Sequence, residues 1–269
     1  MTYLQIEEAA RKKHPVLFPI GVIEEHGPHM CLGTDVYLAY NLAKDVQKGL
    51  RVFQVESIIA PAYYWGINAA MNGFAGSFSV KPETMVSVLF DLLKCLKNWS
   101  FEYVFLLNVH GDFEHNLAMT EAVRKAYDEL RLRAYSIVPE FFRQRANMSG
   151  KEPYIILYDV EFNKSSPYLD IHAGAFETSL MVEKFPNLVD IDTAQSLPSS
   201  ETTIEGLKKW LKGGSGAREV TPLGYLGDPS AIDARAANES NEKLVNEIVK
   251  AINTTLTKRN ISELEDLLK

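Results

Sequence analysis

Five of the six histidines in this chain, His26, His29, His110, His115 and His172, fall in three short segments that also carry glycine and acidic residues. The first segment reads Glu24-Glu25-His26-Gly27-Pro28-His29 and runs on to Asp35. The second is Asn108-Val109-His110-Gly111-Asp112-Phe113-Glu114-His115, and the third is His172-Ala173-Gly174-Ala175-Phe176-Glu177-Thr178-Ser179. Glu24 and His26, two apart on an extended backbone, project to the same side, and Asp35 can return to them after the turn. Imidazole and carboxylate together suit Zn²⁺, Mn²⁺ or Fe²⁺ and suit thiolate-preferring metals poorly. A carboxylate such as Asp35 can bridge two ions, and such a pair acidifies water into a nucleophile without a Ser or Cys triad. One Glu-x-His alone means little, because a buried histidine bonded to a backbone carbonyl has the same local sequence. Three such segments together carry the reading. His29 and His115 are either neighbours of the ligands or polar rim residues, and His14, in a basic N-terminal patch, is given no role.

These segments need elements to hold them. Apolar, β-rich runs at 16–23, 52–59, 103–107 and 133–138 predict strands. Amphipathic stretches at 36–50, 82–99, 114–130 and 241–256 predict helices, with Pro82 suited to a first turn. Strands alternating with helices are the mark of parallel strands joined by crossover helices. The expected fold class is therefore α/β, a three-layer α/β/α arrangement around a mostly parallel central sheet. The first two histidine segments directly follow predicted strands, where α/β sheets bind ligands. Stretches 147–153 and 199–218, rich in Gly, Ser and Lys, read as surface excursions, since neither divides the chain into halves with their own strands and helices. One domain over residues 1–269 is expected. Tyr63, Tyr64, Trp65 and Phe74 could line an apolar substrate wall, although aromatic clusters of this kind are more often core.

Composition narrows the partners. With 35 acidic against 28 basic residues, a net charge of -7 and no basic run longer than Arg11-Lys12-Lys13, neither nucleic acid nor an anionic membrane is expected to bind. Two distant cysteines, Cys31 and Cys95, form no disulfide framework, which fits a reducing cytoplasm. The apolar stretch at 15–23 is short, contains Pro19 and lacks a small-residue cleavage site, so it reads as a buried strand, and nothing else approaches a membrane span.

Taken in order, the blocks resemble the creatininase (creatinine amidohydrolase) family. Its members carry Pro-x-Gly-x-x-Glu-Gln-His-Gly-x-His with an Asp a few residues on, then Asn-Gly-His, then His-Ala/Gly-Gly-x-x-Glu-Thr-Ser. The corresponding residues here are Pro19, Gly21, Glu24, His26, Gly27, His29 and Asp35, then Asn108 and His110, then His172, Gly174, Glu177, Thr178 and Ser179. Phe74-Ala75-Gly76-Ser77-Phe78-Ser79, a Pro186 to Asp190 stretch and Gly224-Tyr225-Leu226-Gly227-Asp228-Pro229 extend the likeness over roughly residues 15–251. Glu25 stands where the family has Gln, Val109 where it has Gly, and Ile171 where creatininase has Glu; the second block also carries extra residues before Asn116. These departures argue against creatinine itself as substrate.

The resemblance implies the three-layer fold and a homo-oligomer. It implies Glu24, His26, Asp35 and His110 as metal ligands, Asp35 bridging two divalent ions, with Asp112, Glu177 or Glu114 as a fifth ligand; Asp112 occupies the family's ligand position. His172 and Glu177 are the residues expected to relay protons. The implied activity is a metal-dependent amidohydrolase that cleaves a C–N amide bond, in a cyclic amide or formamide, of a small-molecule substrate. The alternatives are a catalytically silent metal-binding oligomer and a hydrolase or isomerase of a sugar-like cyclic ketone.

Overall fold

Side chains alternate across each strand, and here both sides are apolar, so the sheet must be covered on both faces. The computed structural model describes residues 1–267. Strands β1 (Val16–Ile20), β2 (Ile58–Ile59), β3 (Tyr103–Asn108), β4 (Arg133–Pro139) and β5 (Ile155–Tyr158) form one sheet in the order β2-β1-β3-β4-β5, and every pairing is parallel. The described helices are α1 (Tyr3–Arg11), α2 (Thr34–Val52), α3 (Pro82–Asn98), α4 (Phe113–Leu130), α5 (Glu140–Arg145), α6 (Ala175–Lys184), α7 (Ile191–Ser196), α8 (Ile204–Trp210), α9 (Gly214–Val220) and α10 (Ala234–Leu267).

Val104 and Leu106 of β3 face a core built with Met85, Leu89 and Leu93 of α3 and Met119, Ala122 and Val123 of α4. Tyr103, Phe105 and Leu107 face the opposite core, built with Leu42, Val46 and Leu50 of α2 and Val245, Ile248 and Ile252 of α10. Three α/β/α layers result, as expected. Helix starts follow local chemistry: Thr2 and Gln5 form a capping box on α1, Pro82 opens α3, and Asp112 caps α4.

The order of strands decides where a site can form. After β1 the chain turns into α2 on one face, and after β3 it turns into α4 on the other. These neighbouring strands therefore leave a crevice between their carboxyl ends, the topological switch point of an open parallel sheet.

The departures from expectation lie at the edges. The apolar run at 52–59 is the end of α2 followed by a two-residue edge strand, with Val52 81% exposed. Stretch 199–218 contains α8 and α9, and it folds inward, where Trp210 and Ala217 pack with Met71 and Leu226. The apolar period does not reveal α1, β5 or α6, and α10 is longer than the stretch expected for it. Among the described residues no helix is long and apolar enough to cross a membrane.

Gly21 ends β1 and lets α2 come close: a Cβ built on it would lie 2.8 Å from the backbone carbon and oxygen of Asp35. Gly21→Ala is expected to destabilise the protein by about 1–3 kcal/mol through this overpacking. A urea titration reads that as a lower midpoint at unchanged slope, whereas an unchanged midpoint contradicts the close approach.

Candidate metal centre

Three chain segments converge on the switch point. Glu24 and His26 lie in the extended segment after β1, Asp35 in the first turn of α2, and His110 just after β3. His172 is drawn in by a two-residue backbone bridge with Leu226, and Glu177 lies in the first turn of α6. Glu24, His26, Asp35, His110 and His172 are all at most 8% exposed.

Each of the three histidine rings commits one nitrogen to a main-chain carbonyl. His110 Nε2 donates to the Ile67 carbonyl at 3.0 Å, His26 Nδ1 to the Glu24 carbonyl at 3.2 Å, and His172 Nε2 to the Glu25 carbonyl at 2.8 Å. The second nitrogen of each ring then turns toward carboxylates. His110 Nδ1 lies 3.0 Å from Glu24 Oε1 and 3.1 Å from Asp35 Oδ2, while His26 Nε2 lies 3.4 Å from Asp35 Oδ1. His172 Nδ1 is 3.8 Å from Glu24 Oε1. Fixing one nitrogen on a carbonyl sets the tautomer and aims the other, an arrangement shared by metal-ligating histidines. Asp35 thus offers its two oxygens to two different imidazoles.

Charge balance tests whether a cation fits. Burial pulls the His110 imidazole down, but the Glu24 charge and the Asp35 hydrogen bond outweigh it and hold its pKa well above the usual histidine value. Burial pushes Asp35 up, yet the imidazoles of His110 and His26 beside it hold it well below the ordinary carboxylate range. Burial also pulls His172 down, but the Glu24 charge and the Glu25 carboxylate outweigh it, and its pKa is pushed up to about 10. A pocket that drives its imidazoles to take up protons is one that demands positive charge, and a divalent ion supplies it. His26 Nε2 is fully buried without a hydrogen bond, a cost that a ligand removes. Ligand atoms within 4.8 Å of one another form three groups: Glu24, Asp35 and His110; His26, Asp35 and Glu177; and Glu24, His26 and His172. The residues present fit a metal ion, and the first two groups share Asp35.

Supporting residues explain the rest of the motif. His115, fully buried, accepts the Ile67 amide on Nδ1 and so steadies the carbonyl that orients His110. Asn108 grips the His110 backbone at both ends, accepting its amide at 3.1 Å and donating to its carbonyl at 2.7 Å. His29, 2% exposed, pairs with Thr178 at 2.8 Å, and burial, then the charges of His26 and His172, pulls its pKa down to about 4. Both His29 and His115 are thus interior neighbours of the cluster and not rim residues. Ala173 adopts φ 49, a left-handed conformation unfavourable to a residue with a Cβ, and Glu177 Oε2 accepts its amide at 2.6 Å. Gly224, at φ 87, passes so near Glu25 that a Cβ would lie 1.9 Å from its carboxylate.

Asp112, expected among the ligands, takes no part in these groups. Its two oxygens accept the amides of His115 at 3.0 Å and Ala69 at 2.8 Å, the first as the cap of α4. It does line the cavity of about 300 Å³ above the cluster, as do Glu114 and Glu177. None of Tyr63, Tyr64, Trp65 and Phe74 lines this cavity. Tyr63 is buried in the core, Tyr64 and Trp65 form an exposed cluster with Phe78, and Phe74 packs beside Trp210. Sequence reasoning missed Trp210 and Arg145, which do line the cavity. A tryptophan in the Lys-rich stretch at 204–212 was the one available signal for the first.

Residues 1–252 match the model of the creatininase family, described as creatinine amidohydrolase. Creatinine amidohydrolase of Pseudomonas putida is 26% identical over 196 residues, spanning 68% of this chain and 69% of that protein. The mycofactocin precursor peptide peptidase of Mycolicibacterium smegmatis is 27% identical over 233 residues, spanning 86% of this chain and 81% of that protein. A solved structure of creatininase with Mn in its name superposes with a TM-score of 0.71 at 22% identity, covering 94% of this chain and 96% of that one; this likeness is one of fold.

If the cluster is built for cations, Mn²⁺ or Zn²⁺ added to chelator-treated protein is expected to raise its melting temperature. At free ion one hundred times Kd the gain is about 2.7 kcal/mol, on the order of 5 °C for a chain of this size. Asp35→Asn is expected to lose most of that gain. A shift of the same size in the variant, or none in the parent, contradicts the assignment.

Proposed function

The chain belongs to the creatininase family, and on that premise we propose that it is a divalent-metal-dependent amidohydrolase that cleaves the C–N amide bond of a small molecule. The observation that carries this reading is Asp35, buried between His26 and His110 with one oxygen toward each. Glu24, Asp35 and His110 would hold one ion, and His26, Asp35 and Glu177 would hold a second. Zn²⁺, Mn²⁺ and Fe²⁺ suit this donor set, and a related structure named for Mn supports the choice. Bound there, such ions supply Lewis acidity, lowering the pKa of water to about 7 and polarising a carbonyl oxygen.

The chain's own residues do the rest. An amide nitrogen leaves only when protonated, so a proton donor must face the site. His172 is placed to be that donor, with its Nε2 fixed on the Glu25 carbonyl and its Nδ1 facing Glu24. Burial pulls its pKa down, but Glu24, Glu25 and Glu177 around it outweigh burial and favour its protonated form. Glu177, with its Oε2 on the Ala173 amide, serves in this reading as a ligand and a brace for the His172 segment. Trp210, its ring centroid 6.2 Å from that of His172, closes one wall against bulk water. A relative named an amidohydrolase and another named a peptidase support C–N bond hydrolysis as the shared chemistry. We further propose a homo-oligomer, supported by the exposed aromatic cluster of Tyr64, Trp65 and Phe78, at 39%, 45% and 54% exposure.

Metal-loaded protein is expected to hydrolyse members of a panel of cyclic amides and formamides, to lose that activity on chelation and to regain it with Mn²⁺ or Zn²⁺. His172→Ala is expected to keep its metal and lose ~10²–10⁴-fold in turnover. Full activity in a folded His172→Ala protein removes His172 from the reaction, and a fully metal-loaded protein that turns over no amide favours the silent metal-binding alternative.

A further inference from the structure

Next to the metal cavity lies a larger one of about 720 Å³, and His110, Phe113, Arg145, Ile171 and Glu177 line both. The two spaces therefore meet at a shared wall. The larger one has an apolar lining at odds with its openness to water: Phe141, Phe162, Leu169 and Ile171 are 67%, 40%, 41% and 45% exposed. Concave apolar surface of this kind beside a polar centre is what a ligand's apolar body covers.

Arg145, the last residue of α5, stands at the junction. Its guanidinium lies over the Phe113 ring at 4.2 Å. Among the described residues no carboxylate pairs with it, in contrast to Arg143 on the same helix, which pairs with Glu140. Stacking occupies the face of a guanidinium and leaves its edge donors free, and that planar fork matches an oxyacid. In the metal-loaded protein the charges of Glu24, Asp35 and Glu177 are taken up by the ions, which leaves the Arg145 guanidinium as a fixed cation available to an anion where the two cavities meet.

We propose that the amide cleaved here carries two further groups: an anionic oxyacid, carboxylate or phosphate, bound by Arg145, and an aromatic or branched apolar group lodged in the larger cavity. N-acyl and N-formyl derivatives of apolar amino acids belong to this class. The proposal deepens the hydrolase reading and rests on it for the bond broken, but its test reads binding alone.

The test is calorimetric titration of the metal-loaded full-length protein and of Arg145→Gln with 3-phenylpropionate, its neutral carboxamide, phenyl phosphate and acetate. In the parent, 3-phenylpropionate is expected to bind at least tenfold more tightly than acetate, because only it fills the apolar cavity. In Arg145→Gln, the affinity for the carboxylate or for phenyl phosphate is expected to fall about tenfold more than that for the carboxamide, the loss of a charge-assisted bond; whichever anion shows this dependence identifies the oxyacid. Equal losses for anions and carboxamide, no loss for either anion, or acetate binding as tightly as 3-phenylpropionate overturns the proposal. None of these outcomes bears on whether amides are hydrolysed, and a protein that hydrolyses none of them still gives a reading here.

Discussion

Two carboxylates, Glu24 and Asp35, meet at the carboxyl ends of β1 and β3 with exposures of 2% and 1%. Unpaired charge in such a place costs several kcal/mol, so the surroundings must supply positive charge at short range. His110 lies against both carboxylates, His26 against Asp35, and burial holds all of them where water cannot screen the interaction. Most of the structure near the site follows from that requirement. Carbonyls of Glu24, Glu25 and Ile67 take one nitrogen of each ring, His115 steadies Ile67, and Gly21 lets Asp35 come close enough to take part.

The fold makes this convergence possible. Consecutive connections leave β1 and β3 toward opposite faces, so the two loops diverge and open a crevice into which their side chains project. The third segment reaches the same place from outside the sheet, through the bridge between His172 and Leu226 and the small cluster of Met71, Trp210, Ala217 and Leu226. A rigid parallel sheet thus supplies most of the cluster, and packed loops supply its outer wall.

Much of this was legible in the sequence. The long strands β1, β3 and β4 and helices α2, α3 and α4 announced themselves through their apolar period, because they form the central layers and bury most of their surface. The three histidine segments were legible because imidazole and carboxylate seldom cluster without a chemical reason. What remained hidden depended on tertiary context. Asp112 has the same local spacing as a ligand and as a helix cap, and only the positions of the Ala69 and His115 amides distinguish the two. Glu177 is a candidate ligand and proton relay from the sequence, but its place beside His26 and Asp35 is set only by the docking of α6. The excursion at 199–218 is rich in Gly, Ser and Lys, and its few apolar residues, Trp210 among them, acquire meaning only once Met71 and Leu226 are placed against them. Arg145 carries no signal in sequence at all, since what sets it apart is the lack of a carboxylate partner among the described residues and its place between two cavities.

Everything proposed about the chemistry turns on Asp35 standing between two divalent ions, in place of the imidazolium partners that balance its charge otherwise. Anomalous diffraction from crystals grown with Mn²⁺ locates such ions without recourse to activity. One peak is expected within coordinating distance of His110 Nδ1, Glu24 and one Asp35 oxygen, and a second within reach of His26 Nε2, Glu177 and the other Asp35 oxygen. A map with no peak at this cluster, and His110 still closed onto Glu24 and Asp35 as an ion pair, would contradict the two-ion assignment.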